Sequence, residues 1–315
     1  MNVLPVLVAA LVALSRRGKW VLPLGLAAAL LFPKTAVVMQ SAIAPLLVAI
    51  LVISFLQINQ SLREIWAGNI RQTLLLVLLM QVLLPIALLL VLRGVGAPLS
   101  VQAPATLVAA ASCIMGGPSI VMMLNGNGAM AIRLLIASTL ALPLTALPSL
   151  ALLSLHPSGS LLLRTAVILT FVVLGSYAAA TALRKFVFGE QTQVQRQCLD
   201  GAAALLLALI VVGLMAAIHT SWDNPQHLAI TLAAAVVVNV GLQLVGLALN
   251  HLLKLNMPIV LGVMNGNRAV AIFLTALPAS VYQPYLLFIA CYQIPMYLTP
   301  LVGGYFYKRY RFDDC

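Results

Sequence analysis

Apolar residues in this chain come in long runs separated by short polar breaks. They show neither the two-residue alternation of a half-buried strand nor the single apolar stripe of a soluble amphipathic helix. A helix needs about 20 apolar residues to cross roughly 30 Å of hydrocarbon. Ten candidate spans follow: 20–33, 37–57, 73–92, 102–124, 129–153, 161–183, 200–219, 228–250, 256–277 and 282–306. Spanning strands are excluded, because open sheet edges cannot be satisfied in lipid and no barrel-like alternation is present. The pattern predicts an all-α polytopic membrane protein with about ten transmembrane helices. Residues 1–14 are apolar too, without a preceding basic segment, so a cleaved leader is not expected. As a helix they reach only about 21 Å, so residues 1–19 are expected to form a short interfacial or partly inserted segment.

Composition agrees with the pattern. Of 315 residues, 63% are hydrophobic and 7% charged, and the mean hydropathy is +1.10. Soluble domains carry about 25% charged residues, so a soluble enzyme or a nucleic-acid binder is excluded. The net charge of +11 is then read as basic loops beside anionic headgroups. With the Arg16–Arg17–Lys19 cluster placed in the cytoplasm, that side also gains Arg63, Arg71, Arg184, Lys185, Arg196, Lys254, Lys308, Arg309 and Arg311. The opposite side holds Lys34, Arg93 and Arg164, which predicts cytoplasmic termini in a plasma (inner) membrane protein. The four cysteines form no CxxC pair or metal-ligand spacing, so neither a metal site nor a cofactor is expected.

The two halves of the chain echo each other. Asn125-Gly-Asn-Gly-Ala-Met-Ala-Ile132 recurs as Asn265-Gly-Asn-Arg-Ala-Val-Ala-Ile272, five spans later. That separation implies an inverted repeat, with residues 20–153 as the first five spans and 161–307 as the second. The copies fall at different places in their spans, one at an end and one in the middle.

Two spans carry helix breakers at membrane depth: Gly116-Gly117-Pro118-Ser119 in span 4 and Asn265-Gly266-Asn267 in span 9. Broken helices expose backbone groups that lipid cannot satisfy, so they persist where they line a cavity or bury against protein. All six acidic residues lie in loops, tails or at a span edge, which leaves no raw material for a carboxylate proton relay. Two arginines do fall within spans, Arg133 near the start of span 5 and Arg268 deep in span 9. An arginine at that depth costs about 2.5–3.5 kcal/mol on insertion scales, unless a polar environment receives it. Arg133 is close enough to the interface to snorkel; Arg268 needs helix-end carbonyls or a substrate anion. Gln81, Asn239, Gln243 and Gln293 add polar groups within spans, each also explicable as an ordinary interhelical hydrogen bond.

Ten spans in two inverted halves with breaks in spans 4 and 9 resemble the bile acid–sodium symporter family and its wider group of arsenite-efflux and auxin-carrier relatives. The resemblance runs from about residue 20 to 307, through Gly126-Asn127, Ser138-Thr139-Leu140, Pro143-Leu144 and Gly262-x-x-Asn265. It implies that helices 4 and 9 cross, and that spans 1, 2, 6 and 7 form a panel against a core of spans 3–5 and 8–10. Substrate would bind in the crevice between them. The family's sodium ligands would fall at Val260, Met264, Ala131 and Leu135, none of which offers an oxygen from its side chain. Gln81 keeps an amide ahead of Pro85 in span 3, with its spacing displaced by one.

The expectation is therefore a secondary transporter of a small organic anion, working by alternating access without the family's sodium sites. Arg268, Asn265, Asn267, Arg133, Ser119, Asn127 and Gln81 are the candidate substrate-binding residues, beside the breaks at Gly116, Gly117, Pro118 and Gly266. The expected partners are the anion and the lipid bilayer, with sodium disfavoured and nucleic acid excluded. Sodium symport through neutral oxygens is one rival; a channel or membrane sensor is another. An enzyme is disfavoured by the lack of HExxH, GxSxG, paired intramembrane aspartates and a nucleotide loop.

Overall fold

A computed structural model describes residues 3–16, 18–58, 69–153, 159–189 and 191–307. Arg17, Arg63, Glu64, Glu190, Lys308, Arg309, Arg311, Asp313, Asp314 and Cys315 lie outside the described residues, as do the side chains of Arg16 and Lys19. Among the described residues every regular element is a helix, and this is an all-α membrane protein. In chain order the helices are α1 (Val3–Arg16), α2 (Gly18–Leu31), α3 (Pro33–Gln40), α4 (Ile43–Gln57) and α5 (Ile70–Gly94). Next come α6 (Leu99–Ala110), α7 (Gly117–Met123), α8 (Gly128–Thr145), α9 (Leu147–Leu152) and α10 (Gly159–Phe188). The chain continues through α11 (Gln193–His219), α12 (Pro225–Leu253), α13 (Pro258–Gly266), a tight 3₁₀ segment (Val270–Thr275) and α14 (Ala279–Phe306).

Six of these, α5, α8, α10, α11, α12 and α14, are each long and apolar enough to cross a membrane. Helices α3 and α4 together are apolar and long enough for a seventh, but the pair is bent by 74° at residues 41–42, as in a broken span or a re-entrant loop. The other apolar runs of the sequence fold as shorter pieces, and spans 4, 5 and 9 are each divided. The boundaries follow local chemistry. Asn69, Asn127 and Asn224 cap α5, α8 and α12 by accepting from the third residue on, and Thr192 with Gln195 forms a capping box for α11. Pro33, Pro118, Pro225 and Pro258 stand in first turns, where the missing N–H costs nothing.

The fold divides into two compact units, residues 1–61 with 171–220 and residues 62–170 with 221–315. In the first, α11 is the hub and packs against α1, α2, α3 and α4. Helix α1 lies so close that a methyl group at Gly201 would overlap the Leu11 carbonyl. Arg184 Nη2 donates to Phe55 O (2.8 Å) and Leu56 O (3.0 Å), and Gln191 Nε2 donates to Leu56 O (3.0 Å). These contacts cap the orphan carbonyls that end α4.

The second unit is built on the pair α12 and α13, whose backbones nearly touch where Gly246 faces the Leu261 carbonyl. Around them α5, α7 and α8 enclose a buried apolar cluster that contains Ala131, Leu135, Val260 and Met264. The four positions that would carry sodium ligands by resemblance are therefore packed core.

Candidate functional site

The site grows from two interruptions. After Ala110 the backbone turns extended, with Ala111 at φ −66° and ψ 160°, and helix resumes only at Gly117. Helix α13 runs through Gly266, and Asn267 is extended at φ −113° and ψ 101°. The two open segments cross as an antiparallel bridge between Cys113 and Arg268. Ile114 N–H donates to Asn267 O, and Ala269 N–H donates to Ser112 O, both at 2.9 Å. Each break thus satisfies part of the other's exposed backbone, as a buried backbone requires. The serine of α8 joins in: Cys113 N–H donates to Ser138 Oγ (3.2 Å), whose hydroxyl donates to Leu135 O (3.0 Å).

Both breaks are displaced from the sequence expectation. Gly116-Gly117-Pro118 marks where α7 begins, Gly116 as its N-cap and Pro118 in its first turn, while the chain has left helix five residues before Gly116. Gly266 is the last residue of α13, not part of the gap. The repeated Asn-Gly-Asn also lands in unlike settings. Asn125 has a left-handed φ of 65° in the turn before α8 and Asn127 caps that helix, whereas Asn265 and Asn267 bracket the end of α13. The local match is not in structural register.

Arg268 is completely buried at the crossing. Its Nε donates to Asn265 O (2.9 Å), Nη1 to Ala111 O (3.2 Å), and Nη2 to both Met80 O (3.1 Å) and Asn265 Oδ1. Four of the five guanidinium N–H groups are engaged, all by neutral oxygens. Ala111 follows the end of α6 and Asn265 lies in the last turn of α13, so both supply helix-end carbonyls. Met80 belongs to the wide turn Leu79–Leu83 of α5. There Leu84 N–H reaches back five residues to Leu79 O, which would hand Met80 O to residue 85, a proline without an N–H. The carbonyl is free for Arg268.

The amides around this cage are also committed. Asn265 Nδ2 donates to Leu242 O (2.6 Å), and Asn239 Nδ2 donates to Gly266 O (2.6 Å). Gln243 Nε2 donates to Asn239 Oδ1 (2.8 Å), and Tyr307 Oη donates to Gln243 Oε1 (2.9 Å). Tyr292 Oη donates to Gly266 O. Asn267 Nδ2 donates to Val263 O (2.8 Å) while its Oδ1 accepts from Thr299 Oγ1 (3.1 Å). Asn239, Gln243 and Thr299 form the polar floor of a cavity of about 240 Å³ between α12 and α14, otherwise walled by apolar side chains such as Ile294 and Leu298.

Of the candidate residues, Arg268, Asn265 and Asn267 come together at the crossing. Gln81 is buried nearby in sequence to Met80, but its amide ties α5 to α8: Nε2 donates to Ser138 O (3.0 Å) and Oε1 accepts from Thr145 Oγ1 (3.2 Å). Gln81→Leu is expected to cost about 1 kcal/mol through loss of these interhelical contacts, read as a lower melting temperature with any ligand response unchanged. Arg133 is half-buried on α8 and makes no hydrogen bond or ion pair with a described residue; Ser119 and Asn127 are exposed. Gln293 bonds back to its own helix at Ile289 O (3.3 Å). The sequence did not point to Met80, Ala111, Tyr292 or Thr299, because two act through backbone oxygens and two looked like ordinary span residues.

No protein-family model matches the chain, and no curated protein matches it.

Proposed function

We propose that this chain is a secondary transporter that moves a small organic anion by alternating access, without a co-transported sodium ion. The observation that carries the reading is Arg268, a buried fixed cation held by the ends of two interrupted helices. Interrupted helices that meet at membrane depth are the feature that marks substrate and ion sites in carriers. Each helix C-terminus carries about half a negative charge, so two of them balance one guanidinium. The crossing is then close to neutral, and an anion beside it needs no accompanying metal cation. The guanidinium lacks two free N–H groups for a forked grip on a carboxylate, so its part in the proposal is to cancel the negative helix ends that would otherwise repel the anion. The cavity floored by Asn239, Gln243 and Thr299 would take the substrate's apolar body.

On this reading the ten apolar runs are ten membrane passes in two inverted halves, of the kind found in the bile acid–sodium symporter family, with both termini in the cytoplasm. The make-up of the two compact units supports it, since each draws on both halves of the chain. The test is counterflow in proteoliposomes, with a set of radiolabelled small carboxylates. Saturable uptake accelerated by the same unlabelled compound inside is expected. Flux that is linear in concentration and indifferent to internal substrate would favour a channel and overturn the proposal.

A further inference from the structure

A buried arginine is ordinarily met by a carboxylate, whose charge offsets the cost of removing a cation from water. Arg268 has no carboxylate partner among the described residues. It is held instead by three backbone carbonyls and one side-chain amide oxygen: Met80 O, Ala111 O, Asn265 O and Asn265 Oδ1. Such a set is the one a monovalent metal ion takes at broken helices, where unwound carbonyls and half-helix C-termini replace its water shell. A further oxygen stands at the same break. Ser112 Oγ, on the residue after Ala111, is fully buried and has no hydrogen-bond partner.

Nothing about the cage is specific to a guanidinium. Its oxygens come from three separated stretches of chain, and each is exposed for a reason unrelated to Arg268: a helix end at Ala111, a helix end at Asn265, and a proline-starved wide turn at Met80. Without a cation the cage would leave these acceptors unsatisfied in a dry interior, and two helix ends would point their negative poles at each other. We propose that the crossing is a monovalent-cation site which the chain fills permanently with its own side chain, and that truncating Arg268 makes the protein bind sodium. The inference stands on the oxygen cage and not on transport. Sodium binding by the variant, found beside a wild type that shows no carrier flux, would overturn the proposed function and leave this one intact.

The test uses detergent-purified full-length protein: wild type, Arg268→Ala, Arg268→Lys and Arg268→Met. Melting temperature is measured in sodium chloride, potassium chloride and choline chloride at equal ionic strength, alongside radioactive sodium binding. Arg268→Ala should be unstable in choline and gain about 5–10 °C when sodium exceeds its dissociation constant by about 100-fold, with saturable sodium binding. Wild type and Arg268→Lys, each carrying a tethered cation, should show neither response. Arg268→Met fills the space with an apolar chain and should stay unstable in every salt. A folded Arg268→Ala with no sodium-specific shift and no binding overturns the proposal. So does an equal sodium shift in Arg268→Met, which would put the ion elsewhere. An Arg268→Ala protein that cannot be recovered folded even when expressed and extracted in sodium overturns it as well, because a filled cage restores the crossing.

Discussion

Arg268→Met is expected to lower the melting temperature by about 10 °C, an effect of roughly 3–5 kcal/mol. The side chain is shorter than the original and apolar but similar in volume, so little of the loss is one of volume. What disappears is the only donor for Met80 O, Ala111 O and Asn265 Oδ1 that the cage provides. Buried acceptors left without partners cost about 1–3 kcal/mol each, somewhat relieved if the breaks relax. The two helix ends also lose the charge that separates their negative poles. Differential scanning fluorimetry in detergent, paired with gel filtration to confirm a monodisperse protein, checks the result. A shift within about 2 °C of wild type would mean that the cage oxygens find other donors, and that Arg268 is dispensable to the crossing.

Gly246→Ala should be nearly as damaging for a purely steric reason. Its new methyl group would overlap the Leu261 carbonyl, a backbone atom that cannot rotate away, so α12 and α13 must separate. Overpacking of that kind costs about 1–3 kcal/mol, and here it also loosens the hydrogen bonds from Asn239 to Gly266 O and from Asn265 to Leu242 O. Gly241→Ala, one helix turn and a little more before it, meets nothing within 4 Å and should be neutral or slightly stabilising. Melting temperatures of the two variants measured side by side separate close helix packing from any general intolerance of α12 to side chains. Equal effects would contradict the packing argument.

The helical class was legible because hydrophobic runs of membrane length leave few alternatives, whereas the residues that begin helices went unread, Asn127 among them as a binding candidate. Asn69, Asn127, Asn224 and the Thr192–Gln195 box all act as helix N-caps. Where helices stop inside the fold was less legible. Gly116-Gly117-Pro118 announces a restart, but the residues that hold 111–115 extended are 267–269, and no local pattern encodes a pairing so distant. That Arg268 would find no carboxylate partner within the spans could be read from the sequence. Its partners could not, since backbone oxygens carry no side-chain signature. The one available clue was Pro85, whose missing N–H leaves a carbonyl in the preceding turn unclaimed. Asn239 and Gln243 were indistinguishable from ordinary span amides until the close approach of α12 to α13 put Asn239 against Gly266 O and Gln243 against Asn239.

The central claim is that a fixed guanidinium stands where a carrier of this kind would otherwise need a mobile cation. The most direct measurement is the initial rate of carboxylate uptake by wild-type proteoliposomes from one preparation, divided between sodium chloride and choline chloride of equal osmolarity. The rates should agree within experimental error at every substrate concentration, and a sodium gradient in either direction should not alter them. A saturable rise in rate with sodium would contradict the claim.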